Sequence, residues 1–279
     1  MRNECPDLTS LALDHLTVAD TTPAQLVEVA ARAGCRAVCL FLTPMAVLPR
    51  MPQFALIGDT AERRETRRRC EDLGITIDLA YPFTLAGRTE IDSFRPAMET
   101  AAWLGVRALN TLVYDRDPQR RRDRFGQFCE LAGQYALSVA LEFYPASQVR
   151  TLQEAIALVE LLGQPSHVGV NLDLLHLIRS GGQVAQVAAV APDTLQYAQY
   201  CDGPENSPTA SSEWEASRQR LLPGQGVFDV RGFAAALPER VRCSVEIPQE
   251  DAIEAGVPAL ERALRAVTRT HRAIEARDS

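Results

Sequence analysis

No two of the seven cysteines form a CxxC pair, so neither zinc-ribbon spacing nor a redox dithiol is on offer. Their odd number and their placement in apolar runs predict reduced thiols in a cytoplasmic protein rather than a disulfide framework. No apolar run is long enough to span a bilayer, and the opening MRNECPDLTS has no apolar signal core. Membrane insertion and secretion are both disfavoured. A continuous basic surface is also missing. Lys and Arg number 29 against 36 Asp and Glu, the net charge is -7, and the arginines are scattered along helical stretches, which argues against a nucleic-acid partner. Nor does any Pro/Ser-rich linker divide the chain, so a single domain over residues 1–279 is expected.

What is present is a substantial apolar content, 46% of residues, arranged as short Val-, Leu- and Ile-rich runs alternating with longer amphipathic stretches. That alternation produces βα units and a parallel sheet. Eight strands are predicted, at 11–18, 36–42, 75–81, 106–113, 137–143, 167–173, 195–201 and 242–247. Helices between them carry start and stop signals, as in TTPAQLVEVAARAG, with a Thr N-cap, Pro23 in the first turn and Gly34 at the close. The fold class expected is therefore α/β, a single (β/α)8 TIM barrel. The Pro- and Ser-containing stretch at 203–226 follows the seventh strand and reads as an active-site loop. One long helix is expected from about Asp251 to Ala276. The apolar residues of 36–58 make a segment suited to covering a pocket or meeting a second copy, which leaves a homodimer open.

In such a barrel, chemistry sits at the carboxyl ends of the strands. Strand five ends in Glu142, strand six in Asp173, strand seven carries Gln199 and strand eight ends in Glu246. A single strand-end carboxylate is as readily a helix cap as a functional group. Three of them converging on one region would repel strongly without a cation, and a metal resolves that conflict. Oxygen donors from Glu142, Asp173, Glu246 and the Gln199 amide suit a hard ion, favouring Mg2+ or Mn2+ over Co2+ or Zn2+. His176 leaves strand six in the sequence DLLH, where it can face either the ion or a substrate oxygen. His15 near the end of strand one is a candidate for the pocket wall, a core hydrogen-bonding role being equally open. Arg218 and Arg220, before a Pro-Gly turn, and Arg179, before Ser180-Gly181-Gly182, are candidate contacts to substrate anions. Tyr81, Asn110, Phe143 and Tyr144 sit at other strand ends.

Taken together, ALEFYP around Glu142, NLDLLHLIRSGG around Asp173, YAQYCDGP around Gln199, RLLPGQG, and SVEIP around Glu246 resemble the xylose isomerase-like TIM barrels, specifically the sugar phosphate isomerase/epimerase family, across nearly the whole chain. The resemblance implies one divalent metal held by Glu142, Asp173, Gln199 and Glu246, with His176 contacting substrate or metal. Gln199 stands where the keto-sugar epimerases usually carry histidine, which resembles the dehydroshikimate dehydratase branch instead. The zinc endonuclease members of the superfamily are poor matches, because this chain has only four histidines and is acidic.

The implied chemistry is enolisation of a hydroxy-carbonyl compound. Glu142 and Glu246 are expected as the acid/base pair, and His176 and Arg220 as groups stabilising substrate oxygens. The first expectation is a metal-dependent isomerase/epimerase acting on a polyhydroxylated, sugar-like small molecule. Its alternative is a lyase that dehydrates a cyclic hydroxyketone of dehydroshikimate or inosose type. A non-catalytic metabolite binder is the third reading, because a fold by itself does not establish an activity.

Overall fold

The computed structural model describes residues 11–163, 165–208 and 212–275. Eight parallel strands close on themselves in sequence order, and β1 pairs with β8. They are β1 (Ala12–Asp14), β2 (Ala37–Phe41), β3 (Thr76–Leu85), β4 (Ala108–Val113), β5 (Ser138–Glu142), β6 (Val168–Asp173), β7 (Leu195–Tyr200) and β8 (Arg242–Val245). The eight predicted runs are these eight strands, and the fold is the expected (β/α)8 barrel. Between them lie α1 (Pro23–Arg32), α2 (Ala61–Leu73), α3 (Arg95–Leu104), α4 (Pro118–Gln134), α5 (Leu152–Glu160), α6 (Leu174–Arg179), α7 (Ser212–Ser217), α8 (Val230–Ala236), α9 (Glu250–Glu254) and α10 (Ala259–Glu275). No helix among the described residues is long and apolar enough to cross a membrane.

Local chemistry sets the boundaries. Thr22 caps α1 through a capping box with Gln25, and Pro23 fills the first turn. β1 is shorter than its apolar run, because the Asp14 side chain accepts from Leu16 N and turns the chain into a 3-10 helix over His15–Val18. The helix expected to run unbroken from Asp251 is instead two helices. Gly256 takes a positive φ of 73° and Pro258 follows, a pair that ends one helix and starts another. Ala276, the expected end of that helix, and Cys5 lie outside the described residues. The other six thiols are free and buried.

Register places the polar strand ends side by side. Glu142 of β5 pairs with Asn171 of β6, and Asp173 of β6 pairs with Gln199 of β7. Because side chains alternate across a strand, Asn171 and Asp173 point the same way, and both point toward the barrel's axis with Glu142 and Gln199. The carboxyl mouth of the barrel is thus built from acids and amides rather than the branched apolar residues that fill most barrel layers.

Candidate active site and metal centre

Asp173 has two tasks at the end of β6. Its Oδ1 accepts the backbone N–H of His176 at 3.1 Å and caps α6, while its Oδ2 takes Arg220 Nη1 at 2.7 Å. His176, expected on a turn, is therefore fixed inside the short helix that follows β6. Its Nε2 lies 3.6 Å from Glu142 Oε1, and its ring packs against that of Tyr144 with centroids 4.8 Å apart and planes tilted by 49°. Glu246 follows β8 directly, with its backbone N–H bonded to Tyr200 O. Its Oε2 is 3.0 Å from Arg220 Nη1. Glu142, Asp173, His176, Gln199, Arg220 and Glu246 are all buried.

The loop after β7 delivers Arg220. Asp202 at its root accepts four backbone N–H groups, those of Gly203, Gly224, Gly226 and Phe228, at 2.8–3.0 Å. A Cβ at Gly226 would come within 2.3 Å of Asp202 Oδ1, so only glycine allows the turn to close on that carboxylate. The clamp brings the RLLPGQG segment against the barrel. Arg220 Nη1 then reaches Asp173 and Glu246, and its other nitrogens bind Ala216 O.

One guanidinium does not balance this many buried acids. Burial, with the Asp173 charge beside it, pushes Glu142 up to about 8, and burial pushes Glu246 well above the usual carboxylate range. Asp14, buried at the end of β1, rises to about 6 for the same reason. Burial would raise Asp173 as well, but Arg220 and His176 overcome it and hold that carboxyl well below its ordinary value. His176 falls to about 4 through burial, so its imidazole is neutral at physiological pH.

Glu142, Asp173 and His176 each offer one ligand atom, and these atoms lie within 4.8 Å of one another. A set of carboxylate oxygens with one imidazole fits a divalent cation, which would stand in for the protons that burial otherwise keeps on Glu142 and Glu246. This group differs from the expected quartet. Gln199 faces other partners: its Nε2 donates to the Tyr81 hydroxyl at 3.1 Å and approaches Asp14 Oδ2 at 3.4 Å, and its Oε1 accepts from Asn171 Nδ2 at 2.5 Å. Glu246 is joined to the group through Arg220.

Above the cluster opens a cavity of about 590 Å³. Its wall holds Glu142, His176, Arg220, Glu246 and Tyr81 of the sequence candidates, with Asn110 and Tyr144 beside them. Asp173 and Gln199 are not on that wall, and the three remaining substrate-contact candidates lie elsewhere. Arg179 binds Glu215 at 2.6 and 2.9 Å, tying α6 to α7, and Arg218 binds Glu250 at 2.8 Å. His15 is a core residue: its Nε2 meets Thr21 O at 2.9 Å and its Nδ1 accepts from Phe41 N. A basic residue near a Gly turn does not reveal from sequence which acid will claim it. Met45, Val47 and Leu48, from the apolar 36–58 segment, line the pocket. Of the 203–226 loop, 209–211 lie outside the described residues, while Glu213, Ala216 and Ser217 of α7 line the wall.

Sequence reasoning passed over Asp14 and Asn171. Asp14 carries a related signal, a carboxylate interrupting the apolar run of 11–18. Asn171 sits two residues before Asp173, on the same face of β6.

Comparison with known proteins identifies the family and the fold. The model of the xylose isomerase-like TIM barrel family matches residues 27–268. The chain belongs to that family. Two curated relatives, the 3-dehydroshikimate dehydratases of Pseudomonas aeruginosa and Pseudomonas putida, are each 29% identical over 187 and 188 residues. The match covers 62% of this chain and spans only 29% of the length of those relatives. Among solved structures, the IOLI protein with a bound zinc atom superposes with a TM-score of 0.76 at 19% identity, covering 95% of this chain and 98% of that one. The probable 3-DHS dehydratase AsbF of Bacillus anthracis gives 0.71 at 16% identity, with coverages of 93% and 97%. The D-allulose 3-epimerase of a Methylomonas species gives 0.67 at 15%, with coverages of 95% and 97%. At these identities the structural likenesses speak for the fold.

Proposed function

We propose that this chain is a divalent-metal-dependent carbon–oxygen lyase that dehydrates an uncharged cyclic hydroxyketone of inosose type. The observation that carries the reading is the placement of His176 and Glu142. They are 3.6 Å apart on one wall of the cavity, while Glu246 across the site is tethered to Arg220. That pair makes one wall suited to holding an ion and leaves the Glu246 carboxyl facing the same cavity, where it can take a proton and return it to a departing hydroxyl. The sequence likeness to two dehydratases supports the same reaction class.

Glu142, Asp173 and His176 would hold the ion, with Glu246 and Gln199 next to them. When bound, the metal would polarise the substrate carbonyl and stabilise the charge that grows on its oxygen. The proton on the carbon beside the carbonyl would pass to Glu246, a cavity carboxyl outside that ligand group. The C–H electron pair becomes the new C=C bond as the β-hydroxyl departs, and Glu246 returns the proton so that water leaves. Arg220, held by Asp173 and Glu246, stays at the wall as a fixed donor to a substrate oxygen.

Charge on the wall supports an uncharged substrate. Among the described residues, Arg220 is the one Lys or Arg lining the cavity, and it already faces two carboxylates, while Glu142, Glu213 and Glu246 are the acids there. A substrate carboxylate or phosphate would find no unclaimed cation. Apolar and aromatic residues such as Leu16, Phe41, Met45 and Phe83 offer a surface for the flat side of a ring.

Epimerisation is the second reading, because Glu142 and Glu246 come from strands on different sides of the cavity and could serve opposite faces of one carbon. Incubating the Mn2+-loaded protein with neutral inososes and ketohexoses in D2O separates the two. A conjugated, ultraviolet-absorbing product establishes the lyase, and deuterium at an inverted carbon without absorbance establishes the epimerase. Neither product from either class leaves the metabolite binder.

A further inference from the structure

Six buried side chains form an unbroken polar chain beneath the cavity. Tyr81 hydroxyl donates to Asp14 Oδ2 at 2.5 Å, and Gln199 Nε2 donates to the Tyr81 oxygen and toward Asp14. Asn171 Nδ2 donates both to Gln199 Oε1 at 2.5 Å and to Asn110 Oδ1 at 2.9 Å. Asn110 Nδ2 donates to Glu142 Oε2 at 2.6 Å. A carboxylate stands at each end and three carboxamides stand between.

The two outer amides are oriented alike: Gln199 and Asn110 each turn the NH2 outward, to Asp14 and Glu142, and the oxygen inward to Asn171. Two inward oxygens can be satisfied only by a central group that donates to both sides, and the Asn171 NH2 has two hydrogens for the purpose. The consequence reaches the site. Oε2 of Glu142 is held by Asn110, which leaves Oε1 facing His176 and the acidic cluster. We infer that Asn171 is a positioning residue: with Asp14 at the far end, it sets the polarity of the amide chain and thereby makes Asn110 a donor that holds the Glu142 carboxyl in its orientation toward His176. Its readout through metal affinity rests on the metal reading; its readout through stability does not.

The distinctive test is a coupling between two residues that do not touch. Asn171→Asp puts an acceptor where two oxygens need a donor, so Gln199 and Asn110 must reverse and present oxygens to Asp14 and Glu142. Asp14→Asn supplies a donor for the reversed Gln199. Four chelator-stripped proteins, the wild type, the two single variants and the double, are titrated calorimetrically with Mn2+ and unfolded in urea. Asn171→Asp is expected to weaken Mn2+ binding by roughly 10- to 100-fold. The double variant is expected to bind roughly fivefold more tightly than Asn171→Asp alone and to raise its urea midpoint, a coupling opposite in sign to additive damage. Losses that simply add in both measurements overturn the inference. Should Asn171→Asp fail to fold, Asn171→Ala takes its place: the effect of Asp14→Asn on Mn2+ affinity should vanish in that background, and an unchanged effect overturns the inference. A wild type that binds no Mn2+ defeats the metal reading, and the urea midpoints then decide the amide chain alone.

Discussion

The two ends of the barrel bury acids in opposite ways. At the amino end, Asp78 of β3 sits between Arg107 Nε at 3.3 Å and Arg242 Nη1 at 3.5 Å, two guanidiniums with side chains 47% and 45% exposed. Cations outnumber the acid there, and water reaches them. At the carboxyl end, Asp14, Glu142, Asp173 and Glu246 are all buried around the single guanidinium of Arg220. Desolvating a charge is expensive wherever it happens, so what separates the ends is whether the charge is matched. A matched acid closes strands together; an unmatched cluster needs something the chain does not itself supply.

The comparison breaks most visibly through turnover. Glu142→Gln keeps the shape of the site but removes its central acid, and the dehydration rate of the Mn2+-loaded protein should fall by roughly 10²- to 10⁴-fold, read by product absorbance. Next is stability. Arg220→Met leaves Asp173 and Glu246 without a counter-charge and should cost about 3–5 kcal/mol in urea unfolding of chelated protein. Saturating Mn2+ should restore part of the loss by binding the folded form alone.

A smaller effect appears on titration. Glu142, raised to about 8 by burial, and the raised Glu246 hold protons more tightly folded than unfolded, so their contribution is complete at low pH and is lost as pH rises through the folded value. His176 has the reverse sign: its value of about 4 lies below the ordinary 6.5, and its contribution is lost only as pH falls from 6.5 through 4. Above 6.5 the histidine has nothing further to add. The melting temperature of chelated protein should therefore fall between about pH 6.5 and 8, and Mn2+ should flatten the slope. A flat profile without metal would mean that the acids are matched after all.

The smallest effect belongs to the other end. Asp78→Asn should change stability by only about 1 kcal/mol, since its partners are half in water, and should leave Mn2+ affinity unchanged by calorimetry. A loss of metal binding there would erase the distinction between the ends.

Strand and helix order could be read from the sequence because each βα unit carries its own apolar period and cap residues. The acids at 142, 173 and 246 were legible for the opposite reason, as charges interrupting runs that ought to be buried. Pairing was not legible. Whether Arg179 or Arg220 reaches the site depends on which acid each meets, Glu215 or Asp173, and the Asp202 clamp helps decide it by holding the segment that carries Arg220. The orientation of Gln199 was equally hidden. It depends on a hydrogen-bond count that includes Asp14, 185 positions away. His176 was readable as a candidate, but its alignment with Glu142 required α6 to start at Leu174, capped by Asp173.

The most direct test is calorimetric titration of chelator-stripped wild type and Asp173→Asn with Mn2+, alongside elemental analysis of the protein as purified. Near-stoichiometric divalent metal and Mn2+ binding in the wild type, weakened at least about tenfold by Asp173→Asn, is the predicted result. No metal on purification and no Mn2+ binding by the wild type would contradict the claim that the carboxyl end is a cation site.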